Sequence, residues 1–183
     1  MATPRAIHCA RCNSARRQAA FADETTRAGL TGLAVVVTCS CQLTGLRRAF
    51  RDQLRPGQRR FHAAKASDRD RKLFMSIMAS TGIGVVFETC RDQPVAARAQ
   101  LWSIVVPKLV KLGVVELVIE RGEQQRDLAA IERALFDISA IDRLRYRHAT
   151  PHEEPMLWAA DTAAWALGKG GHWADRLRPL MLG

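Results

Sequence analysis

Two short apolar runs that end in carboxylates constrain this chain more than any other feature. The first is Ala19-Ala20-Phe21-Ala22-Asp23-Glu24, which turns at Thr25-Thr26-Arg27-Ala28-Gly29; the second is Val114-Val115-Glu116-Leu117-Val118-Ile119-Glu120, which turns at Arg121-Gly122. Both have the length of a strand, and continuous apolar strands separated by helical patterns imply a sheet covered on both faces. Strand side chains alternate, so Asp23 shares a face with Ala19 and Phe21, while Glu24 shares the other with Ala20 and Ala22. An anion at the end of a buried strand needs a metal ion or a basic side chain to meet it.

The β-branched run from Leu30 to Cys39 pairs with the first strand as a hairpin through Arg27-Ala28-Gly29. A helix follows from Leu43 to Leu54, stopped by Pro56-Gly57, and Gln58 to Ala64 reads as a third strand. Ser67 caps a helix whose apolar face is Leu73, Phe74, Ile77 and Met78. Gly82 to Cys90 is a strand with Glu88 near its end. Pro94 to Leu112 is a long helix, kinked or broken near Pro107 and capped by Gly113. Asp127 to Phe136 is a short helix, Leu144 to Ala149 a last strand, and Pro155 to Leu167 a last helix.

That last helix carries the most informative single residue. Asp161 lies four residues after Leu157, three after Trp158 and four before Trp165, inside the apolar stripe. A buried aspartate needs a compensating charge, either an arginine or a cation. Asp23, Glu120 (or Glu88) and Asp161 are thus delivered toward the sheet from separate elements. Carboxylates repel one another unless hard cations bind between them, so Mg²⁺ or Mn²⁺ is the expected cofactor.

The formal net charge is +10, from 28 Lys and Arg against 18 Asp and Glu, and only five of the basic residues are lysines. That balance favours a polyanion such as nucleic acid, and guanidinium groups suit phosphate. The best backbone-binding patch is Arg47, Arg48, Arg51, Arg59 and Arg60, with Arg55 between them and His62 and Lys65 beyond. A solvated basic face is the plain alternative. Trp102, Trp158 and Trp165 sit on helical apolar stripes and read as core.

No apolar run reaches the roughly 18 residues of a membrane span, and the N-terminal stretch has no apolar segment before Cys9, so a cytoplasmic protein without a membrane partner is expected. Five cysteines, an odd number, argue against a disulfide framework there. Cys9-Ala-Arg-Cys12, beside His8, and Cys39-Ser-Cys41 would together offer four thiolates. Cys-x-Cys at a strand end is poor knuckle spacing, however, and zinc is not expected. The 183 residues divide into an N-terminal segment 1–18, a domain 19–168 and a loosely packed tail 169–183. Basic chains of this size often dimerise, and nothing in the sequence fixes an interface.

The element order resembles the ribonuclease H-like fold: a mixed α/β sheet, antiparallel at first and then parallel, with helices on both faces. Phe21-Ala22-Asp23-Glu24-Thr25, Phe61-His62-Ala63 and Met156-Leu157-Trp158-Ala159-Ala160-Asp161 resemble motifs of a bacterial and phage family of domains of unknown function. Its members begin with a strand ending Asp-Glu-Ser-Gly and finish with a helix written Leu-Gln-Leu-Ala-Asp. Here Thr25-Thr26 replaces Ser-Gly, Trp158 replaces the glutamine, and Glu120 stands where the middle Asp is usual. The resemblance implies a metal-dependent, nuclease-like centre with Asp23, Glu120 and Asp161 as ligands and catalytic acids, and with Glu24 and Glu88 as reserve ligands. Two rivals stay open. One is a binding module of the same fold with degraded acids; the other is a zinc-stabilised structural or regulatory protein.

Overall fold

The structure, a computed structural model, describes residues 17–182, apart from the side chains at 94 and 95. Its five strands are β1 (Gln18–Arg27), β2 (Leu30–Cys39), β3 (Gly84–Cys90), β4 (Val114–Glu120) and β5 (Arg145–Ala149). They lie in the order β3-β2-β1-β4-β5. The β1/β2 and β2/β3 pairs are antiparallel, and β1/β4 and β4/β5 are parallel. This is the ribonuclease H-like arrangement expected from the element order. The hairpin closes through only two residues, Ala28 (φ 51°) and Gly29 (φ 72°), because Arg27 pairs with Leu30. Positive φ at both positions matches the right-handed twist of the flanking strands.

Alternation along β1 sorts the core into two layers. Ala19 and Phe21, with Ala34, Val36 and Val118, face α1 (Leu43–Arg51), α2 (Asp68–Ser80), α5 (Met156–Lys169) and α6 (His172–Leu177). Ala20 and Ala22, with Leu33, Val35 and Ile119, face α3 (Pro94–Lys111) and α4 (Gln124–Asp137). Helix α5 lies directly on the sheet, and its alanines at 159, 160, 163, 164 and 166 are all buried, so small side chains set how closely it approaches. Gly168 continues that approach: a Cβ there would stand 2.8 Å from Thr25 Cγ2 of β1. The helix therefore runs through Gly168 and ends at Gly170 (φ 73°), beyond the stop expected after Leu167.

Three further expectations are corrected. Gln58 to Ala64 is not a strand; it is an extended loop leading into a 3₁₀ turn at Ala63–Lys65. The place beside β2 that a third strand would take is filled by β3. Helix α3 is continuous through Pro107 rather than broken there. The segment after Lys169 is packed rather than loose. Trp173 meets Trp165 edge-on at 5.1 Å, Leu177 is buried, and Leu182 N–H donates to Val85 O at 2.8 Å. This segment covers β3, the outer strand, whose open backbone groups would otherwise be a pairing hazard.

Candidate carboxylate site

Asp23, Glu120 and Asp161 converge on one cleft of about 240 Å³, with Arg60, His62 and Trp158 on its walls. The sheet register brings the first two together: Ala22 pairs with Ile119 across the parallel β1/β4 ladder, so the next residues, Asp23 and Glu120, emerge side by side toward α5. Asp161, in the second turn of α5, faces them from above. Its Oδ2 accepts hydrogen bonds from Ala63 N–H (2.7 Å) and, at 3.3 Å, His62 Nδ1. The loop wrongly expected to be a strand is thus the element that holds this carboxylate in place. Asp23 Oδ1 in turn accepts from Glu24 N–H at 2.8 Å.

The cluster carries more negative charge than its surroundings stabilise. Burial pushes the Asp23 carboxyl well above its ordinary range, and the neighbouring Glu120 and Asp161 charges push it further. Glu120 is raised by burial and then by Asp161, partly offset by a hydrogen bond with Asp23 and by Arg60 and His62. Burial raises Asp161 as well, against the pull of Ala63 N–H and His62. A shared proton or a cation relieves such a cluster. Among the described residues, no three His, Cys, Asp or Glu side chains are already gathered at metal-ligating distance. The three carboxylates share a cleft without closing around a point.

The reserve acids lie elsewhere. Glu24 lines the rim of the cleft, but its carboxylate is ion-paired with Arg98 of α3. Glu88 is placed across Leu33 from Glu24, on the α3 face of the sheet, where its carboxylate meets Lys108 Nζ at 2.5 Å. The structure therefore does not bring Glu88 to the cleft, and Glu120 is the acid that stands between Asp23 and Asp161.

The basic residues separate by partner. Arg47 grips the buried Glu154 with two hydrogen bonds (2.9 and 2.6 Å), a structural ion pair that takes it out of the open surface. Arg48 pairs loosely with Asp52 at 3.7 Å, and Arg55 pairs with Asp70 at 2.5 Å. Arg51, Arg59, Arg60 and Lys65 are exposed. Arg60, Lys65, Arg55 and His62 line a groove of about 720 Å³ that meets the carboxylate cleft at Arg60, Phe61 and His62.

One polar network escaped the sequence reading. Asp127 of α4 is fully buried and accepts from Arg98 (2.6 and 3.0 Å) and Trp102 Nε1 (2.8 Å), with His148 Nε2 also at 2.8 Å. Burial would raise its carboxyl, but the hydrogen bonds from Arg98, His148 and Trp102 hold it below the ordinary range. Because Arg98 also holds Glu24, the network anchors the tip of β1 beside Asp23. An acid in the first turn of a helix is so common that Asp127 gave no signal.

Compared with known proteins, the chain matches no protein-family model and no curated protein sequence. Fold alone does not assign a function, which must be argued from the cleft and the groove beside it. Among the described residues, no helix is long and apolar enough to cross a membrane.

Proposed function

We propose that this protein is a nuclease-like hydrolase of DNA or RNA phosphodiester bonds, dependent on Mg²⁺ or Mn²⁺, with Asp23, Glu120 and Asp161 as its carboxylate set. The observation that carries this is the convergence of those three acids, from β1, β4 and α5, on one cleft in a strongly basic chain. All-oxygen, acid-rich donors suit hard divalent cations, and the raised carboxyls of all three describe a cluster that gains by binding one. When bound, such an ion supplies charge neutralisation at the reacting phosphate and a more acidic water.

The chain's own residues do the rest. His62 and the Ala63 amide fix the orientation of Asp161. Asp23 and Glu120 leave β1 and β4 side by side and present a paired carboxylate edge to the cleft. Trp158 and Phe61 are buried apolar walls that limit water. Arg60 stands where the cleft opens into the groove, placed to neutralise the backbone on either side of a scissile phosphate, with Lys65 continuing the basic strip along the groove. The Phe61-His62-Ala63 segment of the family resemblance is the one that reaches Asp161, which supports the resemblance as well.

The second reading is a binding module of the same fold. It is favoured by the prior engagement of Asp161 Oδ2 with two donors. Labelled single-stranded and duplex DNA, RNA and an RNA–DNA hybrid, incubated with Mg²⁺, Mn²⁺ or chelator, separate the two. Cleavage that needs the cation and is lost in Glu120→Gln supports the hydrolase; retention of substrate with no cutting under any cation supports the module.

A further inference from the structure

Cys9 and Cys12 lie outside the described residues, and the feature that the carboxylate site leaves unused is the far margin of the sheet. At one margin β3 is covered by the chain's own tail, whereas at the other β5 has no neighbour beyond it among the described residues. Arg121 N–H donates to Ala149 O at 3.0 Å, which turns the backbone groups of Ala149 toward β4. Alternation along the strand turns those of Arg147 and Arg145 the same way and leaves the N–H and C=O of Tyr146 and His148 pointing outward. Nothing among the described residues meets them. An open edge of this kind is a template for another extended chain.

The two faces of β5 differ in character. Tyr146 and His148 point toward α4: Tyr146 Oη donates to Glu132 Oε1 at 3.2 Å, and His148 Nε2 stands 2.8 Å from Asp127 Oδ2. Leu128, Glu132 and Phe136 are spaced four apart and share one face of α4, so the bond to Glu132 sets that face beside the open edge. Of the five exposed large apolar side chains among the described residues, four (Leu128, Phe136, Ile138 and Ile141) lie on α4 or between it and β5, with Phe136 64 % exposed. Apolar exposure is therefore concentrated at this margin. On the opposite face of β5 stand Arg145 and Arg147. Arg147 pairs with Glu116 and Glu154, whereas Arg145 is exposed and has no acidic partner among the described residues.

We propose that the outer edge of β5 takes an extended segment of a partner protein as an added strand, a segment whose side chains alternate, apolar toward Leu128 and Phe136 and acidic toward Arg145 and Arg147. Main-chain hydrogen bonds to Tyr146 and His148 supply attachment, and the two unlike faces supply selectivity. A second copy of this chain fits poorly. Antiparallel pairing of two β5 strands centred on Arg147 sets Arg147 against Arg147, and centring on Tyr146 sets Arg145 against Arg147; like charges directly opposite are destabilising. Centring on His148 sets Arg145 against Pro151, which has no N–H to give. The surface is separate from the carboxylate cleft and does not depend on the hydrolase reading.

The test uses the full chain and an end-blocked, dye-labelled peptide of about seven residues, a usual strand length, alternating Glu and Val. Two control peptides carry Lys in place of Glu, or Pro in place of the central Val, which cannot donate to a ladder. Fluorescence anisotropy is expected to show saturable binding of the Glu peptide and at least about tenfold weaker binding of both controls. Phe136→Ser and Arg145→Glu, at exposed positions, are expected to melt as the wild type does and to bind the Glu peptide at least about tenfold more weakly. Hydrogen exchange at the Tyr146 and His148 amides is expected to slow when the Glu peptide is added. The proposal is overturned if the Glu peptide does not bind at about 1 mM, or if both variants bind it as the wild type does. Equal binding of the Pro peptide, which is charge attraction without strand pairing, overturns it as well. So does protection of the Tyr146 and His148 amides that needs no peptide and is lost on dilution, which would put a second copy on the edge.

Discussion

Asp161 Oδ2 and the backbone N–H of Ala63 are joined by a 2.7 Å hydrogen bond that spans 98 residues of sequence. Asparagine keeps an acceptor for that amide, whereas alanine leaves a buried donor without one. Asp161→Asn is therefore expected to match wild-type stability to within about 1 kcal/mol, because it also removes a charge that burial disfavours; Asp161→Ala is expected to lose about 1–3 kcal/mol. Urea unfolding of the two variants in chelator checks the difference. Equal losses would mean that the side chain's charge, not its hydrogen bond, is what the fold uses.

The carboxylate cluster predicts a pH dependence of definite sign. Asp23, Glu120 and Asp161 hold protons more tightly folded than unfolded, so without a cation stability falls as pH rises from the ordinary 3.8 of an aspartate through the raised values. The proposed divalent cation would replace the protons. Melting temperature in chelator should decline as pH rises above the ordinary carboxylate range, and Mg²⁺ or Mn²⁺ should raise it more at the upper end of the scan. Thermal scans across that rise, with and without cation, give both halves of the comparison.

Asp127 acts in the opposite direction and in a different window. Its carboxyl is held low, so its stabilisation is full above the unfolded value near 3.8 and is lost as pH falls through the folded value. Removing it takes away the shared acceptor of Arg98, Trp102 and His148 and leaves Arg98 with Glu24 alone. Asp127→Ala is expected to cost about 3–5 kcal/mol and to flatten the acid limb of the stability profile. Denaturant midpoints measured down to about pH 2 would show whether that limb disappears.

Arg47 and Arg60 carry the same charge and should fail differently. Arg47→Ala leaves the buried Glu154 with Arg147 alone, 3.5 Å away, so the loss is one of stability, at the lower end of about 3–5 kcal/mol. Arg60→Ala should leave the fold intact, weaken nucleic-acid binding, and reduce the slope of log K against log salt by roughly 1. Salt-dependent binding by fluorescence anisotropy, paired with melting curves, distinguishes the two. An Arg60→Ala protein with unchanged salt slope would remove Arg60 from the interface.

The elements legible in the sequence were those with unambiguous ends. Leu30–Cys39 and Val114–Glu120 were read to the residue because a turn or a glycine bounds each apolar run. Asp161 was legible because it breaks an apolar stripe. Gln58 to Ala64 misled because a short segment between two helices does not say whether a sheet partner is available, and β1 and β3 already fill both places beside β2. Asp127 was silent for a related reason: its burial depends on Arg98, which lies 29 residues away and on another helix. Glu88 resembled a ligand by position on its strand, but its neighbour across Leu33 put it on the far face of the sheet.

The most direct measurement is calorimetric titration of Mn²⁺ into the wild type, Glu120→Gln and Asp161→Asn, at neutral pH and after removal of any metal carried through purification. Saturable binding by the wild type is expected, with at least about tenfold weaker binding by each folded variant, because both acids belong to the proposed ion site. If the variants bind Mn²⁺ as the wild type does, or if the folded wild type binds none, then Asp23, Glu120 and Asp161 are neighbours without a common ligand, and the hydrolase proposal fails.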